Sequence, residues 1–571
     1  MILTTQQKID EYTSKGWWGT KTVLDYFETL VASAPNQTAV IDPENKEQLC
    51  QSEKQSYTFA QLNDKVNALA ASLYAQGIRK DDIVAVQLPN IAELVVSYLA
   101  ILKIGAIASP FPVQFREYEC THMLNALQAK AVITAKHILN REHIQMFIGI
   151  LQNTPSVQSI FSVVGTVEHE QVINVSFTDH PKANLELEDY YHKLDMTAND
   201  IFTICWTSGT EGKPKGVPRS HNEWFISAYA SVDAAKLTKD DTILLTFPLV
   251  NMAGIGGVLI PWLLTGGTLV LHHPFDFKTF LTQLHLYKVT YTLVPPSLLT
   301  MMVKDDQLLA NLNIEALRAI GTGSAPISTW LIDTWKEKHG VDLINYFGSN
   351  EGATFLSNID DVPNPEIRSK YLPRFGRQEI QWQNRIANMF ESKLVDIDTG
   401  EEITEPNKPG HLKLRGASIF SGYWNAPELN AQVFDEEGYF ASGDLFEIIE
   451  LDGGPKYYRV AGRLKDIIVR GGMKISPLEV EEMIQAMPQV AEVAVVGCPD
   501  ATYGEITCAC IIPAPGQTVT LDDMIAHLTA QKISSYKLPE KLVIMKELPR
   551  NAVGKILKSE LVEEIEKSVL S

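Results

Sequence analysis

A chain of 571 residues with 45% hydrophobic and 21% charged side chains is a globular protein with room for three or four structural units. Its formal net charge of −20 excludes nucleic acid as a main partner, because phosphate backbones demand basic faces; any nucleotide must be met by locally concentrated positive charge. The six cysteines form no C-x-x-C pair and no zinc spacing, which predicts reduced thiols in a cytoplasmic protein.

Residues 1–19 lack a basic region followed by an apolar core, so no signal peptide is expected. Val23-Leu24-Asp25-Tyr26-Phe27 reads as an amphipathic helix, preceded by the Trp17-Trp18 pair, which is most simply packing. Thr58 is a good N-cap for a helix in which Leu62, Val66, Leu69 and Leu73 repeat at helical spacing and which Gly77 stops. Ile83–Val86 reads as a buried strand, Glu93–Ile104 as a helix and Ala131–Ile133 as a strand, an alternation that indicates an α/β sheet with parallel strands. Residues 165–200 are polar and read as a surface connection. From Thr242 to Phe275 there is no charged side chain, but Pro248, Pro261, Gly256-Gly257 and Gly266-Gly267 break any long helix; strand, short helix and strand in a buried core fit better than a membrane span. Residues 394–460 read as short β runs with frequent turns. From Val490 onwards, strands (Val493–Val496, Thr507–Ile512, Val543–Met545) alternate with helices (Leu478–Gln485, Leu521–Ala530) in a compact α+β unit, with Cys508 and Cys510 sharing one face.

The centre of the sequence is Thr203–Val217. An apolar strand breaks into a loop that holds three Gly (209, 212, 216), three hydroxyls (Thr207, Ser208, Thr210) and two Lys (213, 215) within ten residues. Such a loop wraps phosphate oxygens with backbone N–H groups and hydroxyls while lysines add charge. It is not a Walker A loop, since five residues on from Gly209 stands Pro214. The alternative is an ordinary Gly/Lys surface loop.

Later segments carry the same theme. Gly321-Thr322-Gly323-Ser324-Ala325-Pro326 is a small-residue turn; Asn345-Tyr346-Phe347-Gly348-Ser349-Asn350-Glu351 places aromatics before a carboxylate; Gly438–Leu445 contains Asp444; Tyr458–Asp466 contains Arg463 and Lys465; and Pro549–Ile556 contains Lys555. In this order and spacing they resemble the adenylate-forming superfamily of acyl-CoA and aryl-CoA ligases, free-standing aryl-acid adenylating enzymes, peptide-synthetase adenylation domains and firefly luciferase.

The resemblance implies an α/β fold. Residues 1–464 would form a large N-terminal adenylation core of stacked mixed and parallel sheets with helices plus a β-rich subdomain, and residues 465–571 a small mobile α+β domain. It implies ATP, Mg²⁺ and CoA. Catalytic roles fall on Thr207, Glu351 and Lys555, and nucleotide contacts on Ser208, Gly209, Thr210, Lys215, Gly323, Ser324, Ala325, Tyr346, Phe347, Gly348, Ser349, Asn350, Asp444 and Arg463. Here Phe347 replaces the family's usual Tyr, Asn350 replaces its usual Thr, and Glu351 is the metal carboxylate. Lys465 falls at the hinge, Lys555 at the adenylation lysine, and Gly471 and Gly472 beside the thiol tunnel. The acid pocket falls around His221, Asn251, Gly254 and Gly256; His221 reads alternatively as a surface residue in the N-cap region of a helix. No charged side chain lies in Asn251–Gly256, so an apolar medium-sized or aromatic acid is expected. The expected reaction joins acid, ATP and CoA to acyl-CoA, AMP and pyrophosphate. The alternative acceptor is a carrier-protein phosphopantetheine supplied in trans. A catalytically dead nucleotide-binding protein is disfavoured because Glu351, Asp444, Arg463 and Lys555 are intact, and a serine hydrolase because no G-x-S-x-G occurs. The assembly expectation leaves room for a homodimer.

Overall fold

The computed structural model describes residues 1–177, 181–207, 214–304, 309, 312–323, 327–451, 453–471, 473–500, 502–531, 533–550 and 556–570. Packing groups the chain into two units, Met1–Glu391 with Leu414–Phe440, and Ser392–Lys413 with Ala441–Ser571.

In the first unit, helix formation follows local chemistry. Thr58 and Gln61 close a capping box (Gln61 N–H to Thr58 Oγ1 3.3 Å, Thr58 N–H to Gln61 Oε1 3.0 Å), and helix Phe59–Ala75 buries Leu62, Val66, Leu69 and Leu73 completely, as the spacing predicts. An eight-stranded sheet runs Thr354–Ser357, Asp342–Gly348, Ala319–Gly323, Tyr291–Leu293, Thr242–Leu245, Thr268–Leu271, Thr38–Ile41, Ser56–Thr58. Its inner strands are parallel, with Ile320 opposite Leu343 and Leu244 opposite Val270. Leu284, Met302 and Trp335, from three helices, join these side chains in one buried cluster. A second sheet runs Lys215–Ser220, Ile201–Thr207, Ile107–Pro110, Ile83–Gln87, Ala131–Ala135, Ser159–Val164, Val172–Asn174. It too is parallel except at one edge, where Ile201–Thr207 turns back as Lys215–Ser220 and sets Thr207 opposite Lys215.

The uncharged stretch is core. Strand Thr242–Leu245 leads into Asn251, which caps Met252–Gly254; a π-turn (Ile255–Leu259), helix Ile260–Thr265 and strand Thr268–Leu271 follow. Among the described residues no helix is long and apolar enough to cross a membrane. The polar connection departs from its reading: it holds strand Val172–Asn174 and helix Pro181–His192. A narrow contact explains why composition hid that helix. Leu187 is buried, and the Tyr190 hydroxyl accepts from Lys80 N–H (2.9 Å) and donates to Ile104 O (3.1 Å).

In the second unit the region expected as short runs holds a long antiparallel pair, Phe440–Leu451 with Gly454–Arg463. Strands Val490–Asp500 and Gly504–Pro513 pair antiparallel, and Lys541–Ile544 adds in parallel. Ile484, Met524 and Leu528 from helices Pro477–Gln485 and Leu521–Ala530 pack with Val495 and Ile511. Leu561 and Ile565 of helix Lys558–Leu570 pack with Cys498, Cys508 and Cys510, so the last two share a face as read. All six cysteines are free thiols and buried.

Candidate active site

Thr207 ends its strand directly opposite Lys215, which begins the antiparallel partner strand. The stem is anchored from below: Trp206 donates Nε1–H to Ser109 Oγ (2.9 Å), which donates to Ile204 O (2.8 Å). Trp424 N–H donates to Gly216 O (2.9 Å), and a Cβ on Gly216 would sit 3.1 Å from both Ile204 and Trp424 side chains. Of the predicted site residues, Ser208, Gly209, Thr210, Ser324, Ala325, Gly472 and Lys555 lie outside the described residues.

The aromatic–carboxylate segment leaves the end of strand Asp342–Gly348. Alternation along that strand sends Tyr346 and Phe347 to opposite faces. Tyr346 goes inward: its hydroxyl lies 3.3 Å from that of Tyr291, burial pushes both phenols up, and a Cβ on Gly321 would fall 2.8 Å from its ring. Tyr346 is half-buried, with its hydroxyl turned to Tyr291. Phe347 lies against Phe355, with centroids 6.3 Å apart. Gly323 admits no side chain, since a Cβ there would fall 2.5 Å from Tyr346 O; at Gly348 it would fall 3.2 Å from Ala353 O. Ser349 N–H donates to Ala353 O (3.1 Å), and its buried Oγ has no hydrogen-bond partner among the described residues.

Glu351 follows. Its Oε1 accepts from the Tyr423 hydroxyl (2.9 Å), and its backbone carbonyl accepts from Phe420 N–H (3.0 Å). Burial first, and the Glu351 carboxylate second, push the Tyr423 phenol far above its usual range, so it stays a donor. The Lys215 ammonium lies 5.3 Å from the centre of the Tyr423 ring. Lys215, Tyr423 and Glu351 are thus gathered at one place. Neither Tyr423 nor the buried Arg219 carries a local signal in the sequence. Arg219 donates Nη1–H to Asn350 O (3.1 Å) and Nη2–H to Glu223 O (2.6 Å) and Ser227 Oγ (2.9 Å), with its guanidinium 4.4 Å over Trp224. Burial lowers the Arg219 guanidinium to about 10 and raises the Glu223 carboxyl to about 7.

Of the acid-pocket residues, Asn251 turns its side chain onto its own helix, with Oδ1 accepting from Ala253 N–H (3.1 Å) and Gly254 N–H (3.3 Å). Gly254 is forced by close backbone approach, a Cβ there falling 2.3 Å from Pro248 O. At Gly256 a Cβ would fall 2.7 Å from Met252 Sδ and 3.1 Å from the Trp224 ring. His221 is fully buried at the start of helix His221–Ala234. Its Nδ1 accepts from Val23 N–H (3.1 Å), and its ring stacks on Phe202 (5.5 Å, 10°). These are the contacts of a packing histidine at a helix start, so the alternative reading of a surface residue is corrected by its burial against Phe202 and Val23, and they do not join it to Asn251.

In the second unit, Asp444 and Arg463 face each other across the long hairpin, with Arg463 Nε 3.2 Å from Asp444 Oδ1. Asp444 is buried; the turn before it is held by Gly443 N–H on His411 Nε2 (2.9 Å) and by the Ser442 hydroxyl on Leu412 O (2.8 Å). Arg463 leads into the one-turn helix Leu464–Asp466, where Lys465 is exposed. Gly471 takes a positive φ of 54° in the turn after Ile468–Arg470, its N–H donating to Tyr503 O (2.8 Å).

Residues 27–424 match the AMP-binding enzyme family, and residues 479–555 match the AMP-binding enzyme C-terminal domain. The medium-chain fatty-acid–CoA ligase of Escherichia coli (strain K12) is 30% identical over 564 residues, covering 98% of this chain and 93% of the relative. The indoleacetate–CoA ligase of Aromatoleum aromaticum is 28% identical over 529 residues, covering 92% and 95%. Among solved structures, the anthranilate CoA ligase AuaEII in complex with anthranoyl-AMP superposes with a TM-score of 0.77 at 25% identity, covering 97% of this chain and 98% of that one. Fold and motif order define an adenylate-forming enzyme. The chain belongs to the AMP-binding enzyme family.

Proposed function

We propose that the protein is an AMP-forming acid–thiol ligase. A carboxylate oxygen attacks the α-phosphorus of ATP and pyrophosphate leaves; the CoA thiol sulfur then attacks the acyl carbon, giving the thioester and AMP. A carboxylate is a poor electrophile, and the mixed anhydride supplies the leaving group it lacks. The observation that carries this reading is the gathering of Lys215, Tyr423 and Glu351 beside the strand end that launches the phosphate loop.

In this reading Thr207 to Thr210 and Lys215 take phosphate oxygens, while Phe347 and the turn Gly323-Ser324-Ala325 flank the adenine. Asp444, steadied by Arg463, accepts from the ribose hydroxyls. Glu351, with one oxygen committed to Tyr423, fits Mg²⁺, which one or two carboxylates and substrate phosphates suffice to hold. No cluster of three ligating side chains stands ready among the described residues, and a nucleotide-borne ion needs none. When bound, Mg²⁺ would supply charge neutralisation at the phosphates. Lys555 stabilises negative charge built on the bridging oxygens.

The functional division is proposed at 464/465, with Lys465 as hinge and with Gly471 and Gly472 leaving room for a pantetheine arm; the separate C-terminal match over 479–555 supports it. Six free thiols support a reducing, cytoplasmic setting. The acid pocket is proposed along Asn251–Gly256, a run without a charged side chain in which Met252 packs beside Gly256; this supports an apolar medium-sized or aromatic acid, in keeping with the names of the relatives.

The test is a panel of carboxylates in ATP–pyrophosphate exchange, followed by CoA addition. Exchange with apolar or aromatic acids and release of free acyl-CoA are expected. Exchange without thioester formation on CoA would move the acceptor to a carrier protein, and no exchange with any acid would overturn the reading.

A further inference from the structure

Asn350 stands where the superfamily usually carries Thr, and its surroundings give it a different task. Its amide is used at both ends, and each bond reaches a backbone far away in sequence. Oδ1 accepts from Met252 N–H at 2.8 Å, and Nδ2 donates to Trp206 O at 3.2 Å. The first bond holds the turn beginning at Asn251. The second holds the residue before Thr207, where the phosphate loop begins. The Asn350 carbonyl is fixed from behind by Arg219, itself fully buried and bonded to Glu223 O and Ser227 Oγ. A threonine offers one oxygen on a shorter side chain and cannot reach both backbones.

The Met252 side chain gives this link its consequence. A Cβ on Gly348 would lie 3.5 Å from Met252 Cγ, and a Cβ on Gly256 would lie 2.7 Å from Met252 Sδ. The thioether therefore spans the gap between Gly348, at the end of the aromatic segment, and Gly256, beside Trp224. Its backbone is set by the side-chain amide oxygen of Asn350, Oδ1.

We propose that Asn350 is a positioning residue that ties the acid-pocket turn to the strand feeding the phosphate loop, and that it sets where Met252 walls the acid pocket. It acts through Met252 and Trp206 and does not serve as a ligand of the phosphates. The proposal rests on reading Asn251–Gly256 as the acid pocket.

The test compares the wild type with Asn350→Thr and Asn350→Ala in ATP–pyrophosphate exchange, varying carboxylate and ATP separately. Loss of one well-made hydrogen bond corresponds to roughly tenfold in affinity. The carboxylate KM is expected to rise about tenfold in both variants, with the ATP KM changed by less than about twofold. In the ligand-free proteins, hydrogen exchange of the peptide covering residues 250–259 is expected to accelerate. A raised ATP KM with an unchanged carboxylate KM would make Asn350 a phosphate ligand and overturn the proposal. Unchanged exchange over 250–259 in both variants would overturn it independently of activity. Absence of pyrophosphate exchange in the wild type would instead strike at the proposed function, while the hydrogen-exchange arm still decides the role of Asn350.

Discussion

Gly352 sits immediately after the carboxylate assigned to the metal, and replacing it with alanine perturbs that carboxylate without touching it. Its φ is +109°, which an L side chain adopts only at a cost of about 1–3 kcal/mol. Space is the larger obstacle. A Cβ there would fall 1.9 Å from Ser418 O, whereas real Cβ contacts under 3.0 Å are essentially never seen. The turn must move, and it has little freedom, because Gly352 N–H is bonded to Ser349 O (3.1 Å) and Phe420 N–H to Glu351 O (3.0 Å). A displacement of about 1 Å in a positioned group costs about 100-fold in rate. Gly352→Ala is therefore expected to lower kcat/KM for carboxylate-dependent ATP–pyrophosphate exchange by about 100-fold while the protein stays folded. Gly340→Ala is the control: its φ is also positive (+70°), but a Cβ there meets nothing within 4 Å, so its rate should match the wild type. A Gly352→Ala enzyme within about threefold of the wild-type rate would refute the role given to this turn, since the displacement argument requires far more.

The remaining predictions concern the groups that hold the scaffold. Lys46 is fully buried with its Nζ 2.7 Å from both Asp42 and Glu93, so Lys46→Met strands buried carboxylates and should cost about 3–5 kcal/mol in urea unfolding. Burial already raises the Glu93 carboxyl, which takes up a proton as pH falls, so the loss should be smaller at pH 5 than at pH 8; a pH-independent loss would contradict the triad. His221 is lowered by burial from 6.5 to about 4, so the folded state prefers the neutral ring while the unfolded chain protonates first. Its contribution is present above pH 6.5 and is lost as pH falls towards 4, at up to roughly 1.4 kcal/mol per unit. Unfolding midpoints measured from pH 7.5 to 4.5 should fall less steeply in His221→Gln than in the wild type, and parallel slopes would count against this assignment.

The sequence foretold those elements whose signals are local. The Thr58 cap and the Leu62–Leu73 spacing gave helix Phe59–Ala75, and Leu521–Ala530 emerged with its predicted bounds. Helix Pro181–His192 escaped because a polar segment is held by contacts such as those of Leu187 and Tyr190, too few to make a periodic stripe. The site divides in the same way. Glu351 and Asp444 stand in recognisable motifs, whereas Tyr423 lies 72 residues from the carboxylate it steadies and announces nothing in its own neighbourhood. Asn350 showed itself as a departure from a pattern, but its bonds to Met252 and Trp206 exist only once three distant segments have come together. Tyr346 and Phe347 illustrate the limit of a motif: strand alternation sends their side chains to opposite faces, which adjacency in sequence alone does not tell apart.

The most direct test of the central claim is a single-turnover reaction of the purified protein with ATP and the best acid from the panel, first without CoA and then with it. The account predicts acid-dependent release of pyrophosphate and an enzyme-held acyl-AMP, which CoA then converts to acyl-CoA and AMP in equal amounts. Formation of ADP and phosphate, or pyrophosphate release that does not depend on the acid, would contradict it.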